Sequence, residues 1–357
     1  KGIGWRCDYL CCECREIRAA LIRFEELIGQ ELAASILQKA VLEERVMHAY
    51  LFTGPEGTGK LTTALAFAAA LNCEDRQENG DSCGVCLQCR MMEGLAHPDV
   101  EIIYPDGTMT KIEQMREMRR AVSYVPVRGK WKVIIIEQAD TMNEASSNCI
   151  LKTLEEPPDY MVIVLLSRNP ALVLPTIKSR CNQIRFYSAA AETLKNALVE
   201  RFGASPEQAE FLAAYSEGRP GKAISILKNE NFAPWRQKVV ELAGKICSSD
   251  VRYALKLSEE LLNIAEEIKD KNTPLRTVVK PVLDILVTWY RDLLDLSVRG
   301  ESAQLINFDL RDTLMAFTGD AARISSAINA LVWARRALDG NANVQLVSDV
   351  TLVRLTR

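Results

Sequence analysis

The sequence predicts a doubly wound α/β domain of the phosphate-loop type, followed by two all-helical domains. Three observations carry this. Short apolar runs rich in β-branched residues alternate with helical patterns between residues 28 and 187, as parallel strands joined by crossover helices do. One run opens into the glycine-rich stretch LFTGPEGTGKLTT at residues 51–63. After Tyr187 the pattern turns almost wholly helical. A chain of 357 residues is too long for one ordinary core, so two or three domains are expected.

Residues 1–22 read as a leader outside the folded core, with Cys7, Cys11, Cys12 and Cys14 leaving a metal site open there. Apolar residues at helical spacing predict a helix from Ile28 to Val46. His48, at its end, reads as a packing or hydrogen-bonding residue beside the sheet. A strand ends at Thr53, and Gly54, Gly57, Gly59 and Lys60 then fill most of G-x-x-x-x-G-K-[ST]. In that pattern backbone N–H groups surround phosphate oxygens, the helix N-terminus adds positive potential and the lysine reaches the outer phosphates. The last position departs: Leu61 stands where a hydroxyl would hold Mg²⁺, and Thr62 follows one residue later. The helix opened by Lys60 is expected to run to about Leu71.

Cys73, Cys83, Cys86 and Cys89 come next, two overlapping C-x-x-C steps with a fourth cysteine upstream. Tight C-x-x-C turns bring two sulfurs to one metal, and this set predicts a closed, structural zinc site. Its loops are too short for a base-reading helix. A second strand, Val100–Tyr104, precedes a helix from Ile112 to Ser123. Arg116, Arg119, Arg120, Arg128, Lys130 and Lys132 make this the most basic stretch, either a phosphate-facing surface or a solvated helix face.

A third strand spans Trp131–Gln138, with Ile136 followed by Glu137, Gln138, Ala139 and Asp140. A nucleoside triphosphatase needs an Asp for Mg²⁺ and a carboxylate to activate water there. Glu137 can approach a metal only with altered geometry, and the Gln138 amide has no useful basicity. Asp140 is expected to cap the next helix, residues 143–156, which Pro157 and Pro158 close. A fourth strand, Met161–Leu166, ends in Ser167-Arg168-Asn169 and places a polar group near the phosphate site. A short helix over Leu172–Lys178, Ser179-Arg180-Cys181 and a strand over Asn182–Phe186 complete the sheet.

Helices at 190–201, 206–216 and 220–228 form a small unit punctuated by Gly203, Gly218 and Pro220. Longer amphipathic helices follow, at about 235–247, 250–270, 275–298, 302–317, 319–339 and 341–356. The domain reading is a leader at 1–22, an α/β domain at 23–187 with its cysteine module at 73–89, a helical lid at 188–231 and a helical collar at 232–357.

Bulk composition fits: 48% hydrophobic and 25% charged residues are a normal globular balance. A net charge of -3 argues against a free-standing nucleic-acid binder, which is more often basic. No apolar run approaches the roughly 20 residues of a membrane span, and the first residues lack an apolar signal core. A cytoplasmic protein is expected, in which the two clusters among its 11 cysteines favour metal over disulfides.

Taken together, IGQELAASILQKAV with HAYLFTGPEGTGK, the four-cysteine insertion, HPDV, KVIIIEQADTMNEASSNCILKTLEEPP, LPTIKSRC and GRPGKAI resemble one family. It is the clamp loader of bacterial DNA polymerase III, of AAA+ type, and the delta-prime kind of subunit most of all. The resemblance covers the chain from about Phe24 to its end and implies an ATPase-like domain, a lid and a collar that assembles a pentameric ring with gamma/tau and delta subunits. Such a complex loads the sliding clamp on primer-template DNA. By the same resemblance Arg180 matches the segment that supplies an arginine finger to a neighbour's ATP, with a salt bridge inside its own domain as the alternative. Cys73, Cys83, Cys86 and Cys89 match the family's zinc cysteines.

Hydrolysing relatives carry Ser or Thr after the P-loop lysine, Asp-Glu at the third strand's end, and a lid arginine. Here those positions hold Leu61, Glu137-Gln138 and Gly221, with Lys222 beside it. The expectation is a subunit without its own ATPase, whose Gly54, Gly57, Gly59, Lys60 and Thr62 form a degenerate loop compatible with ATP or ADP. Two other readings stay open: an ATP-hydrolysing gamma/tau-type subunit, and a zinc-containing nucleic-acid-binding module.

Overall fold

The computed structural model describes residues 23–107, 109–269, 273–317 and 319–357. The expected leader and its four cysteines lie outside the described residues. The chain divides into two compact units, one ending at Ser225 and one from Ile226 to Arg357.

In the first unit, helix α1 (Glu31–Leu42) precedes strand β1 (Ala49–Thr53), the phosphate loop and helix α2 (Lys60–Asn72). A short helix α3 (Leu87–Met92) follows within the cysteine module, then β2 (Val100–Ile103), α4 (Ile112–Val122), β3 (Lys132–Ile136), α5 (Glu144–Glu155), β4 (Met161–Ser167), α6 (Pro175–Lys178) and β5 (Asn182–Arg185). The five strands pair in parallel in the order β2-β3-β4-β1-β5. β1 is thus flanked by β4 and β5, and β2 and β5 form the two edges.

Side-chain alternation along these strands fills two cores. Tyr50, Phe52, Val162, Val164 and Leu166 pack on one face with Leu65 and Phe67 of α2. Leu51, Ile134, Ile136, Ile163 and Leu165 pack on the other with Met115 and Met118 of α4 and Ile150 of α5. Burial on both faces explains why the strands read as unbroken apolar runs. Each fully buried Ile, Leu or Phe contributes roughly 1.5–3 kcal/mol. Gly54 has to be glycine, because a Cβ there would lie 2.3 Å from the Phe186 carbonyl oxygen.

Helices α7 (Ala191–Phe202), α8 (Pro206–Tyr215) and α9 (Pro220–Leu227) follow where the sequence places the lid. Gly203 ends α7 in the left-handed region, and Ser205 caps α8 by accepting the Gln208 N–H while Pro206 starts the helix.

The second unit contains α10 (Phe232–Ser248), α11 (Ala254–Glu267), α12 (Leu275–Arg299), α13 (Arg311–Met315), α14 (Ala321–Asp339) and α15 (Val344–Leu355). α12 buries Trp289 completely. The continuous helix expected over 302–317 is not formed: α13 covers its last part, after turns at Gly300–Ser302 and Phe308–Leu310. The cause is the buried Asp292 carboxylate, which accepts N–H groups from Ile306 at 2.9 Å and Asn307 at 2.8 Å. Those donors face α12 rather than a preceding turn, so an uninterrupted helix cannot close.

Candidate functional site

The phosphate loop leaves β1 at Gly54, whose N–H continues the ladder to Ser167 O at 3.2 Å. Gly57 and Gly59 have φ of 78° and 88°, values that favour glycine. Lys60 is 9% exposed, and its Nζ donates to Gly54 O at 2.8 Å and Pro55 O at 2.6 Å. The buried Thr58 hydroxyl donates to Pro55 O at 2.8 Å and folds the loop on itself. Leu61 belongs to the core that backs the sheet, so the magnesium-ligand position holds an apolar, buried side chain. Thr62 is half-buried on the first turn of α2 and makes no side-chain hydrogen bond among the described residues.

Opposite the loop, Gln138 ends β3 in the left-handed region with φ of 49°. Its amide oxygen accepts from Arg168 Nη2 at 3.1 Å, while Arg168 Nη1 meets Glu56 Oε2 at 2.7 Å. Arg168 therefore ties the tip of β4 to the tip of β3 and to the phosphate loop. Asp140 does not cap the next helix as expected. Its Oδ1 accepts the Arg168 N–H at 2.9 Å, and Asn143 caps α5 by accepting the Ser146 N–H. A carboxylate one turn too early finds a nearer orphan amide on β4. Glu137 is half-buried, its N–H bonded to Ile103 O at 2.9 Å. On α9, the Gly221 N–H donates to Gly57 O at 2.8 Å, and Lys222 lies 4.4 Å over the Tyr215 ring. At Gly221 a backbone amide, not a cationic side chain, meets the loop.

Arg180 lies elsewhere. It precedes β5, whose first residue Asn182 is level with Tyr50, so it stands at the N-terminal end of the strands. The phosphate loop leaves β1 at the C-terminal end, roughly 13 Å farther along the sheet. The Arg180 guanidinium donates to Glu155 Oε1 at 2.7 Å and to Thr176 O at 2.9 Å. The ion pair within its own domain is therefore present.

The four cysteines converge. Their sulfurs all lie within 4.8 Å of one another, with Cys73–Cys86 and Cys83–Cys89 at 3.9 Å and Cys73–Cys89 at 3.7 Å. Sulfurs around a tetrahedral zinc stand about 3.8 Å apart, from Zn–S bonds of about 2.3 Å. The donor set therefore fits one zinc with no open position. Backbone N–H groups of Cys83, Cys86 and Cys89 point at Cys73, Cys83 and Cys86 sulfurs at 3.3, 3.3 and 3.5 Å, the outer contacts that orient thiolates. Burial pushes the Cys73 and Cys89 thiols up. It also acts on Cys86, but the Cys89 and Glu74 N–H donors outweigh it and bring that thiol down to about 7.

Comparison with known proteins places this arrangement. Residues 29–190 match the family model described as DNA polymerase III, delta subunit. The DNA polymerase III subunit delta′ of Bacillus subtilis is 29% identical over 318 residues, 88% of this chain and 93% of that protein. Over these residues the chain is similar to subunits of DNA polymerase III. Clamp-loader tau subunits match too: that of Bacillus subtilis at 29% identity over 76% of this chain and 50% of its own length, and that of Escherichia coli at 34% over 57% and 32%. The crystal structure of a gamma subunit-related protein from Thermotoga maritima shares the fold, with a TM-score of 0.51 and 19% identity over 92% of this chain and 98% of that one. No helix among the described residues is long and apolar enough to cross a membrane.

The cysteine module is tied to the sheet by a polar relay that the sequence did not reveal. Gln88, on α3 between two of the cysteines, bonds His97 Nε2 at 2.9 Å and Arg128 O at 3.2 Å. His97 Nδ1 accepts the Asp99 N–H, so Nε2 carries the proton, and burial pushes this imidazole's pKa down against the pull of Asp99. The Asp99 carboxylate accepts N–H groups from Val127, Arg128 and Gly129 at 2.6, 2.7 and 2.8 Å. Burial raises its pKa, but the Gly129, Val127 and Arg128 donors outweigh that and the net shift is down. The HPD motif was the available signal; its partners lie about 30 residues away.

Asp99→Ala is expected to destabilise the first unit by about 2 kcal/mol, since three donors lose a charged acceptor. The sign of the pH effect follows from the depressed folded value. The carboxylate's contribution is complete above its unfolded pKa near 3.9 and is lost as pH falls through the folded one. Melting temperatures across the acid range should fall steeply for the natural chain and less steeply for Asp99→Asn.

Proposed function

We propose that this chain is a delta-prime-type clamp-loader subunit, which hydrolyses no ATP itself and lends Arg180 to the ATP site of a neighbouring subunit. The observation that carries this is the position of Arg180 at the opposite end of the strands from the chain's own phosphate loop. A guanidinium there cannot serve the loop that Gly54 begins, yet it stands at the edge strand, where a second subunit has access. Always charged and planar, it suits the phosphate charge that develops in phosphoryl transfer.

The state of the chain's own cradle supports the same reading. Leu61 is in the core where a magnesium ligand would be needed, and Gln138 is an amide bonded to Arg168 where a base would be needed. Gly54, Gly57, Gly59 and Lys60, with Thr62 on the first turn, would hold ADP or ATP by its phosphates without turnover. The Cys73, Cys83, Cys86 and Cys89 set would hold a structural zinc. Residues 188–231 would act as lid and the helices after 232 as the collar of a pentamer with gamma/tau and delta subunits. That complex would work in the cytoplasm, placing the sliding clamp on primer-template DNA. Coverage of 93% of the delta′ relative, against 50% of a tau relative, favours this assignment.

A gamma/tau-type hydrolysing subunit is the second reading, favoured by the 34% identity to a tau subunit. Turnover by the purified chain with ATP and Mg²⁺ separates the two. No hydrolysis above background is expected; steady turnover abolished by Lys60→Ala would overturn the proposal.

A further inference from the structure

Resting on the proposed role of Arg180, we infer that Glu155 is its positioning residue, the group that aims the guanidinium at a neighbour's nucleotide. The two residues come from separate elements and meet at one end of the sheet. Glu155 is the last residue of α5, just before the turn that leads into β4. Arg180 follows α6 in the turn that leads into β5. Both helices pack on the same core face through Ile150, Leu154 and Ile177, so the distance between the two side chains is set by buried contacts.

The geometry of the guanidinium separates its edges. Nη1 donates to Thr176 O at 2.9 Å and to Ser179 Oγ at 3.4 Å, and Nη2 donates to Glu155 Oε1 at 2.7 Å. Nε–H makes no hydrogen bond among the described residues, so the guanidinium keeps a free donor beside the two bonds. An oxyanion can be met there while the Glu155 contact persists. The Arg180 side chain is 34% exposed and that of Glu155 51%. A pair so placed adds little to the stability of the free chain. Its effect is orientational: without it, a long side chain samples several rotamers at the subunit edge. Glu155 adds a carboxylate near an incoming polyphosphate, which like charge disfavours. Fixing the guanidinium plane offsets that cost where phosphoryl transfer demands a defined approach.

The test uses the complete clamp loader, reconstituted with this chain and its partner subunits, and reads clamp- and DNA-stimulated ATPase. Glu155→Gln and Glu155→Ala should lower kcat by roughly 10-fold with KM for ATP little changed, since misaimed groups act on the transition state more than on binding. Glu155→Asp should recover part of the rate. In an Arg180→Ala background, Glu155→Ala should cost nothing further, which a merely structural role would not predict. If Arg180→Ala lowers turnover but Glu155→Ala and Glu155→Gln leave it unchanged, or if the two losses multiply, the positioning role is wrong and the finger stands. If Arg180→Ala itself leaves turnover unchanged, the finger falls and the positioning role with it. Size-exclusion elution and thermal melting of each complex confirm that it has assembled.

Discussion

If Arg180 acts as proposed, Arg180→Ala is expected to leave this chain folded and able to assemble, while turnover at the neighbour's ATP site falls by ~10³-fold or more. That corresponds to about 4 kcal/mol of lost transition-state stabilisation. The reasons are local. Arg180 is one-third exposed, and its contacts with Glu155, Thr176 and Ser179 are surface contacts whose loss costs the fold little. Its charge, by contrast, would meet phosphate oxygens in a site shut off from water, where one charge partner matters far more than in solution. Arg180→Lys should not restore the rate, because an ammonium keeps the charge but loses the planar fork. Steady-state ATPase of the reconstituted complex, with clamp and primed DNA present, is the measurement.

The second large effect concerns the cysteine centre. Metal analysis should find about one zinc per chain, and Cys86→Ser should lower it sharply. The module's own helix is short. α3 has six residues, Leu87–Met92, too short to stand as a helix alone, and its cap is the Cys86 sulfur accepting the Cys89 N–H. Removing metal would leave buried thiols that burial drives toward the neutral form at Cys73 and Cys89. Binding has to release those protons, so zinc affinity should weaken as pH falls. Loss should spread beyond the module, because Gln88 links it through His97 and Arg128 to the start of β2 and the approach to β3. A chelator should therefore lower the melting temperature of the whole first unit. A metal-free chain of equal stability would contradict the zinc assignment.

The order of strands and helices in the first unit was legible because burial on both faces leaves its mark in consecutive residues. Ile134, Ile135 and Ile136 could only be a central strand. The cysteine spacing was legible for a similar reason: C-x-x-C turns are local. What the sequence concealed was set by partners far along the chain. Arg168 was visible as a polar strand tip, but Glu56, 112 residues away, was not visible as its partner. Asp140 looked like a helix cap because capping is local, and the amide it takes belongs to Arg168, 28 residues on. The stretch 302–317 carried a helical apolar pattern, and a single buried carboxylate on α12, Asp292, overrode it. At the cradle, sequence identified Leu61, Gln138 and Gly221 as departures. The structure adds what each does instead: one packs in the core, one receives Arg168, and one offers its amide to Gly57.

The proposed reading puts the chemistry outside the chain's own phosphate loop, and one comparison tests that directly. Complexes carrying Lys60→Ala and Arg180→Ala in this chain should be assayed side by side for clamp- and DNA-stimulated ATP hydrolysis. The expected result is near-natural turnover with Lys60→Ala and severe loss with Arg180→Ala. The reverse, loss with Lys60→Ala and natural turnover with Arg180→Ala, would mean that this chain works its own cradle and lends nothing to its neighbour.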